Sequence, residues 1–362
     1  MQTVANFSVT YQQFLSPQGT PVQALPDWVE HSNLLIAMYK HMQLVRTFDQ
    51  KVIALQRTGQ MGTYPSCLGQ EAIGTAIGFA MNDDDVLAPY YRDQATQLLR
   101  DVSMADIMRY WGGDERGSDF QGRAKEDMPN CVPIATQITH AAGIASAIKI
   151  RQQHRAVVTT CGEGATSRGD FYESLNLAGT WQLPLVIVVN NNQWAISVPR
   201  EIQTAAQTIA QKAIAAGIHG LQVDGNDPIA VYEATSQAIQ RARQGKGATL
   251  IEAISYRLCD HTTADDATRY RSNEQLNKGW ENEPIARVRN FLNQNNLWDE
   301  DKEVSWQQHC ADELKLAVED YLATPPQPPE SMFDYLYAEP TTEIIEQREA
   351  VIQKAATATV KH

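Results

Sequence analysis

Apolar residues recur mostly at intervals of three and four between residues 31 and 56, at Leu34, Leu35, Met38, Met42, Leu44, Val45, Phe48, Val52 and Leu55. That spacing predicts an amphipathic helix. Residues 68–81 predict a second helix, so rich in Ala and Gly that another element must pack closely on it. From residue 156 the pattern alternates. Residues 156–161 form a short β-rich run. Residues 170–181 read as a helix, with Asp170 as its N-cap and Phe171, Leu175 and Ala178 on one face. Residues 185–189 (LVIVV) are a continuous apolar run, as in a strand buried on both faces. Helix is then predicted over 205–216, strand over 221–223, helix over 227–244 and strand over 249–256. Such alternation builds βαβ units, so the fold class is α/β, with a mainly parallel sheet flanked by helices.

The flanks differ from this middle. Residues 1–28 read as an extended N-terminal arm, since Pro17, Pro21 and Pro26 break any helix. Residues 29–323 read as one α/β domain, its pattern interrupted by a polar, aperiodic loop over 260–279 and closed by helices over 283–294 and 301–323. Residues 324–362 read as a proline-rich linker, TPPQPPE, and a final helix over 341–356.

Composition narrows the function. The chain has 362 residues, 43% of them hydrophobic, enough for a large core. A net charge of −13 disfavours a nucleic-acid face, which needs clustered Lys and Arg. Cys67, Cys131, Cys161, Cys259 and Cys310 are scattered and form no CxxC pair, so neither a disulfide framework nor a zinc site is indicated. No run approaches the roughly 18 apolar residues of a membrane span, and the N-terminus lacks the plan of a signal peptide. A cytoplasmic protein is expected.

The candidate chemistry lies in residues 161–200. Gly162-Glu163-Gly164 follows a predicted strand, and glycine there lets a ligand approach the backbone. The next strand ends in Asn190-Asn191-Asn192. If the two strands are neighbours, Glu163 and Asn192 meet at the carboxyl edge of the sheet, where such folds bind ligands. One carboxylate and one amide oxygen, completed by ligand phosphates, suit Mg²⁺. The following helix start offers N–H groups for phosphate.

Gly-Glu-Gly with Asn-Asn ending 29 positions beyond the glutamate resembles the thiamine-diphosphate signature, and GEGATSRGDFYESLN…NNQWAIS resembles the alpha subunits of 2-oxo acid dehydrogenases. The resemblance runs over roughly residues 30–340. It implies the diphosphate-binding type of the thiamine-diphosphate fold, with thiamine diphosphate and Mg²⁺ as cofactors. Glu163 and Asn192 would ligate Mg²⁺ by side chain and Trp194 by its carbonyl. Gly162, Gly164 and Ala165 would face the diphosphate. Tyr91 and Arg92 resemble the pair that reaches the cofactor. Val132 and Ile134 lie in a segment that wedges an apolar side chain between the cofactor rings. Some relatives bind a monovalent cation there through a Ser where Cys131 stands, so that site is in doubt. The segment from Tyr256 to Arg271 resembles the family's active-site loop. His261 maps onto its catalytic histidine, a proton donor that Asp260, Asp265 or Asp266 could orient and keep protonated. Thr262 replaces a serine phosphorylated in mitochondrial relatives, so kinase control is not implied. The competing readings are a solvated loop carboxylate for Glu163, a surface arginine for Arg92, a core isoleucine for Ile134 and an exposed loop histidine for His261.

The carboxylate that activates the aminopyrimidine comes, in this family, from a second unit absent here. The resemblance therefore implies a beta subunit, an α2β2 heterotetramer and a lipoyl domain of the dihydrolipoyl acyltransferase component as acyl acceptor. The expected substrate is a small 2-oxo acid. Residues 196–200 and 204–217 resemble pyruvate dehydrogenases. Gly-Glu-Gly and Val223–Asp227 also occur in branched-chain enzymes, acetoin dehydrogenase is a third reading, and a non-catalytic scaffold subunit belongs to a different class.

Overall fold

The structure, a computed structural model, describes residues 1–31 and 33–359. The first apolar stripe forms the helix Asn33–Arg57, which buries Leu35, Met38, Met42, Val45, Phe48, Val52 and Leu55. The Ala- and Gly-rich run forms Glu71–Ala80. Its glycines serve close packing: a Cβ at Gly74 would stand 2.8 Å from the Ala95 Cβ, and one at Gly78 2.6 Å from a Leu99 methyl.

Eight strands are present among the described residues: β1 (Tyr11–Gln12), β2 (Val86–Ala88), β3 (Val157–Gly162), β4 (Leu185–Asn191), β5 (Trp194–Ala195), β6 (Val198–Pro199), β7 (His219–Asp224) and β8 (Thr249–Ile254). Six form one sheet in the order β1-β7-β8-β4-β3-β2, every neighbouring pair parallel. β5 and β6 make a separate antiparallel ribbon.

The unbroken apolar run of β4 has a two-sided cause. Val186 and Val188 pack into a core shared with the helices Asn33–Arg57, Glu71–Ala80 and Pro228–Arg243. Leu185, Ile187 and Val189 pack into a second core with Thr136–Ile150 and Gly169–Thr180. A strand between two helical layers needs apolar residues on both faces.

Several elements differ from the sequence expectation. The N-terminal arm is tied down: β1 pairs with β7, and the Asp227 carboxylate accepts from the N–H groups of Phe14 (2.6 Å) and Leu15 (2.7 Å). The helix expected from 170 starts at Gly169, so Asp170 lies in its first turn and Arg168 is the N-cap. Of the helix expected over 205–216 only Lys212–Ala216 forms. The Glu252 carboxylate captures the Ala210 N–H at 2.9 Å, and Thr208 and Gln211 bond each other's backbone, which diverts these groups from a helical ladder. The stretch over 260–279 is not all loop, because Ser272 and Gln275 form a capping box that starts the helix Asn273–Trp280. The helices Gln94–Leu99, Met104–Trp111 and Thr136–Ile150 were not expected from the sequence, although Met104–Trp111 is amphipathic and buries Met104, Ala105, Ile107 and Met108. The helix Thr136–Ile150 carries small and apolar residues nearly all round, yet it buries one face, at Ile138, Ala141, Ala142, Ala145 and Ile148, and leaves His140, Gly143, Lys149 and Ile150 exposed.

The chain divides into two compact units, Met1–Val318 and Glu319–His362. The second contains a short turn of helix, Pro329–Phe333, and the helix Thr342–Thr359, linked by Arg348 and Asp334 at 3.6 Å. No helix among the described residues is long and apolar enough to cross a membrane.

Candidate functional site

β3 and β4 are neighbours, and their register sets Gly162 beside Asn190. Their carboxyl ends therefore deliver Glu163 and Asn192 to one place. The chain leaves β3 in a tight turn, Glu163–Ser167, and leaves β4 toward the ribbon. Glu163 Oε2 accepts from the Asn192 N–H at 3.3 Å, and Oε1 accepts from Gln203 Nε2 at 3.2 Å. Asn192 Oδ1 accepts from the Trp194 N–H at 3.2 Å.

These groups open on a cavity of about 200 Å³. Tyr91, Arg92, Ile134, Gly162, Glu163, Gly164, Ala165, Asn192, Trp194 and His261 all line it. Val132 is not on its wall and is half exposed. Ile134 is 44% exposed and borders the cavity, so it is not an ordinary core residue. Ala135, just behind it, holds a left-handed backbone (φ 71°) at the N-cap of Thr136–Ile150. A non-glycine residue in that region stores strain of the kind that collects at functional sites.

Glu163 is 1% exposed, which excludes a solvated loop carboxylate. Burial pushes its pKa up, against hydrogen bonds and the Arg257 charge that lower it. No side-chain ion pair to it exists among the described residues. A buried, uncompensated carboxylate is costly, and a divalent cation beside it removes the cost. Nor is there a group of three or more His, Cys, Asp or Glu that could hold a metal among those residues. A metal here would rest on one carboxylate, the Asn192 amide and main-chain oxygen, with ligand phosphate completing the shell, as suits Mg²⁺. The Trp194 carbonyl already accepts from Arg257 Nη1 at 3.4 Å, so a metal would share it. A Cβ on Gly164 would stand 2.6 Å from the Ala195 Cβ, whereas one on Gly162 would meet nothing within 4 Å. The turn thus lies against the ribbon and is open at Gly162. Buried Gln203 Oε1 and Gln137 Oε1 lack a hydrogen-bond partner. The donor set fits an anionic diphosphate carrying a metal.

Arg92 is buried, not a surface arginine. Nη1 donates to the Ser66 carbonyl and Nη2 to the His261 carbonyl, both at 2.5 Å. Two of its nitrogens are therefore engaged before any phosphate arrives. Nη2 also lies 3.0 Å from His261 Nδ1. Arginine only donates, so Nδ1 is the acceptor and the ring proton sits on Nε2. This corrects the expected imidazolium. Burial lowers the His261 pKa to about 3, the charges of Arg92 and Arg257 lower it too, and Asp265 opposes them. None of the three aspartates bonds the ring. Asp265 accepts from the His261 backbone N–H (2.8 Å), Asp260 from that of Ala267 (2.9 Å) and Asp266 from that of Thr268 (3.1 Å).

Sequence reasoning missed the polar support beneath the site. Gln70 Oε1 accepts from the Tyr90 hydroxyl and from the amides of Asn190 and Asn192. Its only sequence signal is an amide at the start of an apolar helix. Gln203 and Gln137 carried none.

A family model described as the dehydrogenase E1 component matches residues 39–330. Pyruvate dehydrogenase E1 component alpha subunits of Staphylococcus epidermidis and Staphylococcus aureus are 36% identical to this chain over 345 residues, covering 94% of it and 92% of theirs. That of Bacillus subtilis is 37% identical with the same coverage.

Proposed function

Because this chain belongs to the dehydrogenase E1 component family, we propose that it is the alpha subunit of a pyruvate dehydrogenase, acting with a beta subunit in an α2β2 heterotetramer. As a family member it is part of a thiamine-diphosphate-dependent 2-oxo acid dehydrogenase. The observation that carries the site reading is the buried, unpaired Glu163 beside Asn192 at the carboxyl edge of the sheet. Thiamine diphosphate supplies, when bound, the carbon nucleophile that attacks the 2-oxo group.

The chain's own residues do the holding. Glu163, Asn192 and the Trp194 carbonyl would bind Mg²⁺, and Gly162, Gly164, Ala165, Tyr91 and Arg92 would face the cofactor. Ile134 would press on it from the apolar side, with Val132 outside the cavity wall. His261, neutral with its proton on Nε2, would donate a hydrogen bond or that proton to oxygen where negative charge develops. The acetyl group would pass to a lipoyl domain of the dihydrolipoyl acyltransferase component. Five unpaired cysteines support a reducing, cytoplasmic setting.

The test is an artificial-acceptor assay on the co-expressed tetramer and on the chain alone. Pyruvate should be turned over in preference to 3-methyl-2-oxobutanoate, and only by the tetramer. Preference for the branched substrate would move the enzyme to the branched-chain class. Absence of turnover on any 2-oxo acid would favour a scaffold.

A further inference from the structure

Lys212 is a lysine folded inside the protein with no acidic partner. It is 6% exposed and forms no ion pair with a carboxylate among the described residues. Its Nζ donates to the Thr166 carbonyl at 2.8 Å and to the Thr166 hydroxyl oxygen at 2.9 Å. The Tyr172 and Phe171 rings lie 5.1 and 5.8 Å from the ammonium. The Thr166 hydroxyl in turn donates to the Glu163 carbonyl at 2.7 Å. A chain of bonds thus runs from the ammonium through Thr166 to the main chain of Glu163.

The base of Lys212 is held as firmly as its tip. A Cβ on Gly220 would stand 2.6 Å from the Ala213 Cβ and 2.8 Å from the Ala210 carbonyl, and one on Gly179 would stand 2.0 Å from the Ala216 carbonyl. Sheet and helix therefore press on both sides of the segment, and Glu252 holds the Ala210 N–H. With no carboxylate paired to it among the described residues, the ammonium has the two Thr166 oxygens and the two ring faces to offset its desolvation.

We propose that Lys212 is a positioning residue for the diphosphate-binding turn Glu163–Ser167. It takes up the Thr166 carbonyl and the free lone pair of the Thr166 hydroxyl. With these tethered, the turn keeps the shape that presents the Glu163 carboxylate and the Gly164 and Ala165 amides to the cavity. Its positive charge stands behind the turn and adds to the potential that favours an anion. Lys212 touches neither cofactor nor substrate and acts through Thr166. The inference rests on the reading of Glu163 as a metal ligand.

The test uses the tetramer with Lys212→Met, Lys212→Arg, Thr166→Val and the combined Lys212→Met/Thr166→Val variant, beside wild type and Glu163→Gln. Thiamine-diphosphate affinity with saturating Mg²⁺ is read from tryptophan fluorescence, assembly from sedimentation, and kcat at saturating cofactor. Lys212→Met should raise the cofactor Kd by about tenfold or more, the scale of a hydrogen bond to a charged group. Assembly and kcat at saturation should change little. Lys212→Arg should recover most of the affinity, and the combined variant should bind no worse than Lys212→Met. A wild-type Kd in Lys212→Met, additive effects in the combined variant, or parallel loss of affinity, kcat and assembly would overturn the proposal. If Lys212→Met fails to assemble, Lys212→Gln, too short and uncharged to hold Thr166 in the same way, decides in its place: a raised Kd supports the tether and a wild-type Kd overturns it. Wild type without cofactor affinity, or Glu163→Gln binding normally, would overturn the site reading and this inference with it.

Discussion

His261 shows how the surroundings of one side chain set its chemistry. Its place in an acidic loop suggested a charged ring, but burial and the guanidinium groups of Arg92 and Arg257 face it, while Asp265 reaches only its backbone. With a folded pKa near 3 against about 6.5 unfolded, the neutral ring is favoured. Its contribution to stability is therefore present above pH 6.5 and lost as pH falls from 6.5 toward 3. Bound diphosphate would offset the arginine charges and raise the pKa. Carbon-13 spectra of labelled histidines, assigned with His261→Asn, should show His261 untitrated at pH 6 in the cofactor-free tetramer and shifted upward with thiamine diphosphate. A midpoint near 6.5 without cofactor would contradict this. Turnover of His261→Ala should fall by about 10²–10⁴, the usual worth of general acid catalysis. Sequence placed this residue at the site. Its protonation state was not legible, because it depends on Arg92, 169 positions away in the chain.

At the scale of elements, long two-sided or amphipathic patterns were readable and locally capped pieces were not. β4 announced itself because both its faces are buried. Asn273–Trp280 did not, since it buries Gly279 alone and owes its start to Ser272 and Gln275. That helix closes the loop from Asp260 to Ser272, whose internal bonds include Asp260 to Ala267 and Asp265 to Tyr270, while Arg271 bonds the carbonyl of Arg257 just before it. The loop is thus organised within itself, and Arg92 ties it to the cavity. Trypsin should cut after exposed Arg269 in the cofactor-free tetramer, and more slowly once thiamine diphosphate and Mg²⁺ bind. Equal rates in both states would mean that the loop does not respond to the site.

For the whole molecule, the parallel sheet was legible from βαβ alternation. The convergence of Glu163 with Asn192 hung on β3 and β4 being neighbours, which alternation alone does not fix, since β8 stands between β4 and β7, the next strand of this sheet along the chain. The amides of Gln70 and Gln203 were not legible, since nothing local distinguishes a buried amide from an exposed one. At one sheet edge the molecule gathers a buried carboxylate, a glycine-flanked turn and a histidine around one cavity, the groups that in the proposed function would hold a metal and diphosphate and donate a proton. The most direct test of that account is calorimetric titration of thiamine diphosphate into the α2β2 tetramer, with and without Mg²⁺, for wild type and Glu163→Gln. The account predicts tight, Mg²⁺-dependent binding by wild type and a loss of at least about tenfold in the variant, since a neutral amide cannot replace a buried metal carboxylate. Equal, metal-independent affinity in both proteins would contradict it.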